Sequence, residues 1–156
     1  MSTASSPTDH QASAWFSTYP NFTYDPSTSL PSNFTRLAVA KRWGLKLKHK
    51  RWIACQTVLF DALYGTDVTK LDKWQDLCRE VGITDVPGNI KKCKKVLGSP
   101  RVLVNLANLI EHRLSGEEVI RFRNYDEFWK YTSKGRKFPL QAAKEDGFIK
   151  ILLRKV

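Results

Sequence analysis

The sequence predicts a mainly α-helical fold, one compact multi-helix domain of about six helices, and allows one short two-stranded β-ribbon near the C-terminus. Apolar residues recur at spacings of three and four along most of the chain, which is the period of a helix with one buried face. Many of these runs begin after Ser, Thr or Asn and end at Gly, the residues that helices favour at their boundaries.

Size and composition agree with one domain. The 156 residues are 42% hydrophobic and 12% aromatic, which is enough for a packed core. No window approaches the ~20 consecutive apolar residues of a membrane span, and the N-terminus lacks the features of a secretory signal. We therefore predict an intracellular protein, nuclear or cytoplasmic, with no membrane partner.

The N-terminal region is predicted to divide into a tail and an arm. Residues 1–14 are small and polar and predict a disordered tail. Residues 15–31 alternate aromatic rings with prolines, which break helices, so they predict an extended aromatic arm packed on the domain. The alternative is that the rings are stacking platforms for bases, but the arm has almost no positive charge to follow a phosphate backbone.

Residues 32–156 are predicted to form the single helical domain. Its first helix should begin at an N-cap, Ser32, and run to about residue 43, where Gly44 ends it. The run "KLKHKR" is predicted to be a basic linker, and a second helix follows over about residues 50–64. This second helix has apolar residues on two sides, which predicts a central place in the core.

The middle of the chain predicts three further helices. The third opens with the capping-box pattern "TKLD" and ends at Gly82, and a fourth covers about residues 89–97. Ser99 and Pro100 form an N-cap and N1 pair, which predicts that a fifth helix begins there and runs to about residue 114.

The C-terminal part predicts one strand candidate and the last helices. The β-branched segment "EEVIRF" is the strand candidate, and Asn124 is the predicted N-cap of a sixth helix. A short helix is predicted over residues 140–145. The terminal "FIKILLRKV" fits either a last helix or a strand that pairs with "VIRF".

Several of these stretches together resemble a known group of proteins. The pattern consists of "NFTRLA...RWG", "L-x-x-WQ-x-LC-x-E-x-GI", "P-x-x-I-x-x-CKK-x-L", "VNL-x-x-LI", "F-x-x-Y", "YT" and "AKEDGFIKILLR". It resembles a family of small uncharacterised proteins of filamentous ascomycete fungi, over roughly residues 19–156. That family has no known activity, so the resemblance implies a lineage and assigns no catalytic or binding residue.

The charge is the strongest indication of function. The net charge of +11 and the isoelectric point of about 9.7 favour an anionic partner. We predict non-enzymatic nucleic-acid binding, mostly through phosphate contacts from lysine-rich helix faces. The candidate nucleic-acid-binding residues are Lys46, Lys48, Lys50, Arg51, Lys91, Lys92, Lys94, Lys95, Arg101, Asn105, Lys134, Arg136 and Lys137.

The third and fourth predicted helices, over residues 69–97, have the outline of a helix-turn-helix with a short turn. The lysine-faced fourth helix would then lie against DNA. Lysine is a point charge that contacts phosphate more readily than it reads bases, so we expect little sequence preference. Asn105 and Asn108, predicted to be exposed, are the candidates for base reading.

A protein-interaction module is the alternative. Five tryptophans and an aromatic arm can leave an exposed groove, and Trp and Tyr are common anchors of interfaces. The basic faces would then attract an acidic protein partner.

Catalytic and metal-binding patterns are missing from the sequence. No nucleophile motif or phosphate-binding glycine loop occurs, and the histidines and cysteines do not have zinc-site spacing. We therefore predict no enzyme activity, no cofactor and no metal. Cys93, within "KKCKK", shares an apolar stripe with Ile90 and Leu97 and is predicted to be a small core residue, neither a ligand nor a redox thiol.

Overall fold

A computed structural model describes residues 7–138 and 147–154 of the chain. Within these residues it contains helices and no strand, which confirms the mainly α-helical prediction. The helices are α1 (Pro7–Phe16), α2 (Leu30–Ala40), α3 (Leu45–Tyr64), α4 (Leu71–Glu80), α5 (Ile90–Leu97), α6 (Leu106–Ser115), α7 (Tyr125–Thr132) and α8 (Phe148–Leu152).

Helix α1 lies where the sequence analysis predicts a disordered tail. The prediction is wrong for residues 7–14, because a helix brings Ala12 and Phe16, which are four residues apart, onto one face. Both side chains are fully buried, and α1 packs against α3 and α6. The tertiary partners of α1 therefore stabilise a helix that its own polar sequence does not indicate.

The aromatic residues after α1 pack on the domain. The ring centroids of Phe16 and Phe22 lie 5.6 Å apart, and those of Tyr19 and Trp43 lie 5.5 Å apart. The Arg36 guanidinium lies 4.9 Å from the Phe22 ring and donates a hydrogen bond of 3.1 Å to the carbonyl of Thr23. Because these rings contact other side chains, they are not free platforms for stacked bases.

Helices α2 and α3 both begin earlier than predicted. The N-cap of α2 is Ser29, whose Oγ accepts a hydrogen bond of 3.2 Å from the backbone N–H of Ser32, the predicted cap. Helix α3 begins at Leu45, so the run "KLKHKR" is its first two turns and the predicted linker is wrong. The run contains no Gly or Pro, and Lys, Leu and Arg are good helix formers.

Helices α4 and α5 pack on each other around Trp74, Cys78, Cys93 and Leu97, all fully buried. The capping box at Thr69 does not form, because the Thr69 hydroxyl hydrogen-bonds to the Asp67 carboxylate instead. Nine residues, 81–89, connect the two helices. The predicted short turn is therefore wrong, since the connection of a helix-turn-helix has about three or four residues.

Helix α6 begins at Leu106, with Asn105 as its N-cap, and the predicted start at Ser99 and Pro100 is wrong. The Arg154 guanidinium donates hydrogen bonds of 2.7, 3.0 and 3.0 Å to the carbonyls of Leu97, Ser99 and Val102. These bonds hold the segment before α6 in a non-helical conformation, because helix formation would direct the Ser99 and Val102 carbonyls along the helix axis.

The predicted strand "EEVIRF" is an extended segment without strand pairing. Asn108 holds it, since its Nδ2 donates to the carbonyl of Glu118 at 3.2 Å and its Oδ1 accepts from the N–H of Ile120 at 2.8 Å. The terminal "FIKIL" is helix α8, so the described residues contain no β-ribbon. Helix α7 has the predicted N-cap, Asn124, and the predicted helix at 140–145 lies outside the described residues.

A partly buried ion-pair network joins α3, α4 and α6. The Glu80 carboxylate accepts hydrogen bonds of 3.1 and 2.6 Å from the Arg113 guanidinium and one of 2.7 Å from the Tyr64 hydroxyl. Arg113 also donates to the carbonyl of Leu63 at 2.7 Å and stacks 3.9 Å from the centre of the Tyr64 ring. The network closes the side of the core where these three helices meet.

None of the helices in residues 7–138 and 147–154 is both long enough and apolar enough to span a membrane.

Candidate functional site

The predicted cationic residues fall into three groups along the chain, at residues 46–51, 91–101 and 134–137, and members of the first and the last meet at one cleft. The cleft has a volume of about 610 Å³ and lies between α2, the first half of α3, α6 and the end of α7. Its lysine and arginine lining residues are Lys48 on α3 and Lys134 and Arg136 after α7, and His49 on α3 also lines it. The fold therefore brings together side chains that are far apart in the sequence.

The face of α3 explains how its basic start reaches the cleft. Lys48, Trp52 and Gln56 are spaced four residues apart, so they lie along one side of the helix, and all three line the cleft. The other predicted residues of this group, Lys46, Lys50 and Arg51, are exposed on α3 and do not line it.

The lysines of the cleft have no acidic ion-pair partner. Neither Lys48 nor Lys134 forms an ion pair with any carboxylate of the described residues. Unpaired cations on one surface raise the local concentration of anions. The electrostatic potential of the cleft therefore favours a negatively charged ligand.

Aromatic and aliphatic side chains form the walls of the cleft. The rings of Phe34 and Trp52 pack on each other with centroids 4.8 Å apart, and Tyr131 belongs to the opposite, α7 side. Leu45, at the start of α3, is 88% exposed on the rim. Apolar walls with a few polar groups are typical of sites that bind small planar groups.

Arg136 is held in place by its neighbours. Its guanidinium lies 4.1 Å from the centre of the Tyr131 ring and donates a hydrogen bond of 3.2 Å to the Tyr131 carbonyl. The backbone carbonyl of Arg136 accepts a hydrogen bond of 3.1 Å from the side chain of Asn105. The cation is therefore preorganised on the cleft wall.

Gln56 is the unusual residue of the site. Its side chain is only 2% exposed and lines the cleft, and no described residue hydrogen-bonds to its amide. Among the described residues, Arg154 Nε is the one fully buried side-chain nitrogen or oxygen atom without a partner, so the Gln56 amide must reach the surface of the cleft. The amide therefore offers a donor and an acceptor to whatever occupies the cleft.

Glu111 is the one acidic residue among the described residues that line the cleft. Burial, and secondly the negative charge of Glu117, raises the pKa of the Glu111 carboxyl above its ordinary value. Protonation, which removes the negative charge from the cleft, therefore occurs at a higher pH than for an exposed glutamate.

The third predicted basic group lies elsewhere. Lys91, Lys92 and Lys95 are exposed on α5, Arg101 is exposed after it, and none of them lines the cleft. Lys94, on the same helix, is half-buried, and its ammonium lies 5.3 Å from the centre of the Trp74 ring.

Cys93, between these lysines, is fully buried and hydrogen-bonds through Sγ to the carbonyl of Pro87 at 3.6 Å. Burial, and secondly Cys93 itself, raises the pKa of the neighbouring Cys78 thiol to about 12. Both side chains pack in the core between α4 and α5, and the predicted placement of Cys93 in the core is confirmed.

The predicted base-reading role of Asn105 and Asn108 is wrong, because both are buried, at 3% and 1% exposure. Asn105 caps α6 through a hydrogen bond of 3.2 Å from the backbone N–H of Asn108, and its Nδ2 donates to the hydroxyl of Thr132 at 3.1 Å. An Asn immediately before an apolar helical run indicates an N-cap, and this signal was present in the sequence.

The sequence analysis did not identify Trp52, Gln56, Glu111 or Tyr131 as site residues. One of them carried a signal, since Gln56 occupies a position on the stripe of Trp52, Leu59 and Leu63 that an apolar residue would normally fill. A polar residue on a buried face is informative because it needs a partner. Nothing in the sequence marks Trp52, Glu111 and Tyr131 as site residues, because they meet only through the packing of α3, α6 and α7.

No group of three or more His, Cys, Asp or Glu side chains comes together as a metal site within residues 7–138 and 147–154.

No family model matches the chain, and no curated protein or solved structure matches it. The resemblance to the fungal family stays a prediction. The geometry of the cleft is therefore the basis for assigning a function.

Proposed function

We propose that the chain binds nucleic acid through phosphate contacts, with the cleft face as the main contact surface. The cleft face consists of Lys48, His49, Lys134 and Arg136. The observation that supports the proposal is that two basic segments distant in the sequence line one cleft, with no ion pair to a described carboxylate at either lysine. Lysines arranged in this way contact phosphates without reading a sequence.

The aromatic walls beside these cations also support the proposal. Proteins that bind nucleic-acid strands combine a positively charged groove with aromatic side chains on which bases stack. Trp52 and Tyr131 line the same cleft as Lys48 and Lys134, so both components occur at one place.

The lysine face of α5 is a second cationic surface and contributes less in this proposal. Helix α5 has only eight residues, and its exposed side chains include lysines and no Arg, Asn or Gln. It therefore lacks the side chains that read base edges. Lys91, Lys92 and Lys95 then provide long-range attraction and auxiliary phosphate contacts.

Charge reversal tests the proposal. We expect the double substitution Lys48→Glu/Lys134→Glu to weaken binding to a labelled 20-nucleotide strand at least about 30-fold at 0.1 M salt. It removes two attractions and adds two repulsions, each worth up to about 1 kcal/mol close to a phosphate. Fluorescence anisotropy measures the affinity, and circular dichroism confirms that the helices remain.

Lys91→Glu/Lys92→Glu is the matched control, because it changes the net charge by the same amount on the α5 face. We expect this control to weaken binding several-fold less than the cleft variant. Equal losses would mean that only net charge matters, and a larger loss for the control would place the contact surface on α5. Either result overturns the proposed surface, and failure of the unsubstituted protein to bind overturns the function.

A second candidate function is binding of an acidic protein, and one observation favours it. Tyr125 and Trp129 lie four residues apart on α7 and are 49% and 46% exposed. Exposed aromatic residues of this kind anchor interfaces. Capture of a partner from nuclease-treated cell extract, lost on Trp129→Ala and retained by Lys48→Glu/Lys134→Glu, would favour this function over nucleic-acid binding.

A further inference from the structure

The cleft contains a feature that phosphate binding alone does not use. Gln56 lines the cleft and is 2% exposed as a residue, and its amide has no hydrogen-bonding partner among the described residues. Contacts to phosphates come from the exposed Lys134 and the half-exposed Lys48, so a strand on the outer surface would leave this amide unpaired. The amide indicates that part of the ligand enters the cleft.

We propose that the cleft binds one unpaired nucleobase, whose polar edge hydrogen-bonds to the Gln56 amide while its flanking phosphates contact Lys48 and Lys134. This inference rests on the proposed function and deepens it, because it makes the bound nucleic acid single-stranded at the point of contact. Two kinds of ligand present the required groups, a planar base attached to phosphate. One is a nucleic-acid strand and the other is a free nucleotide.

The size and the walls of the cleft suit such an occupant. A volume of about 610 Å³ lies within the range of roughly 300–1,000 Å³ that small-molecule sites occupy. Trp52 and Tyr131 contribute apolar ring atoms to the walls, with the Trp52 ring packed on Phe34 and the Arg136 guanidinium over one face of the Tyr131 ring. A base, which has a flat face, can pack on such a wall. Burial of a base between apolar walls would also exclude water from the Gln56 amide.

The chemistry of Gln56 matches the edge of a base. A carboxamide presents one acceptor and two donors in a plane, and it can form a pair of hydrogen bonds with a neighbouring donor and acceptor. Each of the four bases offers such a pair when it is unpaired. A purely apolar ligand would leave both the amide and the cations of the cleft without partners.

Glu111 is compatible with this occupant. Its carboxyl lines the cleft, and a carboxyl can accept a hydrogen bond from an exocyclic amino group or donate one when it is protonated.

The first experiment separates base binding from phosphate binding. The affinity of the protein is measured for a 12-nucleotide DNA strand and for the same strand with abasic sites at every position, which keeps all the phosphates. We expect the abasic strand to bind about 5- to 100-fold more weakly, which is the effect of losing one stacked base. Equal affinities would overturn the inference and leave the proposed function intact.

A further titration, with a mononucleotide, shows whether the bound base belongs to a strand or to a free nucleotide. A nucleoside monophosphate is titrated against the protein and, separately, against the preformed complex with the strand. If the strand is the source, the mononucleotide binds at least tenfold more weakly and competes with the strand. Binding of the mononucleotide without any binding of the strand would support the base site while overturning the proposed function.

The second experiment uses Gln56→Met, which keeps the length of the side chain and removes its polar atoms. Because the amide is unpaired in the free protein, we expect the melting temperature to stay equal or to rise. The affinity for the normal strand should fall by about 5- to 100-fold, and the affinity for the abasic strand should not change. Stabilisation together with loss of base binding is a result that a merely structural glutamine would not give.

Gln75→Met is the matched control. Gln75 hydrogen-bonds through Nε2 to the carbonyl of Pro87 at 3.0 Å and does not line the cleft. We expect this variant to have a lower melting temperature and normal affinity for both strands. If Gln56→Met behaves in the same way, the amide is a structural group and the inference fails.

Discussion

Glu80→Ala is expected to lower the free energy of unfolding by about 2–4 kcal/mol, the largest effect that we expect from removing one charge. The Glu80 side chain is 10% exposed and accepts hydrogen bonds from Arg113 and from the Tyr64 hydroxyl. Removing it leaves the guanidinium without its carboxylate, with the Leu63 carbonyl as its remaining acceptor, and leaves the Tyr64 hydroxyl with the Leu109 carbonyl. The effect stays below that of a fully buried pair because 32% of the Arg113 side chain is exposed.

Urea denaturation followed by circular dichroism measures this change. Asp76→Ala is the matched control, because Asp76 pairs with Arg79 at 3.0 Å on the same helix, with both side chains more than half exposed. Such surface pairs contribute about 0.2–1 kcal/mol. A loss for Glu80→Ala no larger than that for Asp76→Ala would contradict the stabilising role of the partly buried network around Glu80.

Asn105→Ala is expected to lower the free energy of unfolding by about 2–3 kcal/mol and to weaken nucleic-acid binding. The substitution removes the N-cap of α6, worth about 0.5–2 kcal/mol, and leaves the carbonyl of Arg136 without its side-chain donor. The Asn105 amide ties α6 to the segment that carries Lys134 and Arg136, so this segment should become less ordered.

The two effects of Asn105→Ala are measured by urea denaturation and by anisotropy at a temperature where the variant is fully folded. Asn89→Ala is the control, because Asn89 is exposed and its side chain caps α5 through one hydrogen bond of 2.9 Å, without tying two elements together. We expect it to cost about 1 kcal/mol and to leave affinity unchanged. Affinity that is lost in Asn89→Ala but normal in Asn105→Ala would contradict the positioning role.

The sequence indicated much of the helical content because the boundary residues act locally. Asn124 and Asn89 cap α7 and α5 through hydrogen bonds to backbone N–H groups three residues ahead, which a sequence pattern can reveal. The periodic stripe of Trp74, Leu77 and Cys78 likewise needs only the helix itself to be recognised. These features are contained within one helix or its first turn.

The wrong secondary-structure predictions concern segments whose conformation depends on a residue far away in the chain. The segment after Gly98 has the residues of a helix start, but Arg154 binds its carbonyls from the other end of the chain. The segment "EEVIRF" has strand composition, but Asn108 occupies its backbone groups. Local composition carries no information about partners so far away in the chain.

The cationic residues of the candidate site could be predicted from the sequence, but the cleft that they line could not. Lys48 and Lys134 were candidates because of their charge, but their position at one cleft depends on how α3 and α7 pack. Asn105 and Asn108 were assigned to the surface although the packing of α6 buries them. The sequence therefore indicates the charge of the expected ligand, and the fold determines which candidate residues share one surface.

The salt dependence of strand binding tests the central claim, that Lys48 and Lys134 contact phosphates, most directly. The association constant is measured between 50 and 300 mM salt for the protein and for Lys48→Ala/Lys134→Ala. Each phosphate contact on a single strand contributes about 0.7 to the slope of the logarithm of the constant against the logarithm of salt. We expect the slope of the variant to be smaller by about 1.4. Parallel lines for the two proteins would contradict the claim.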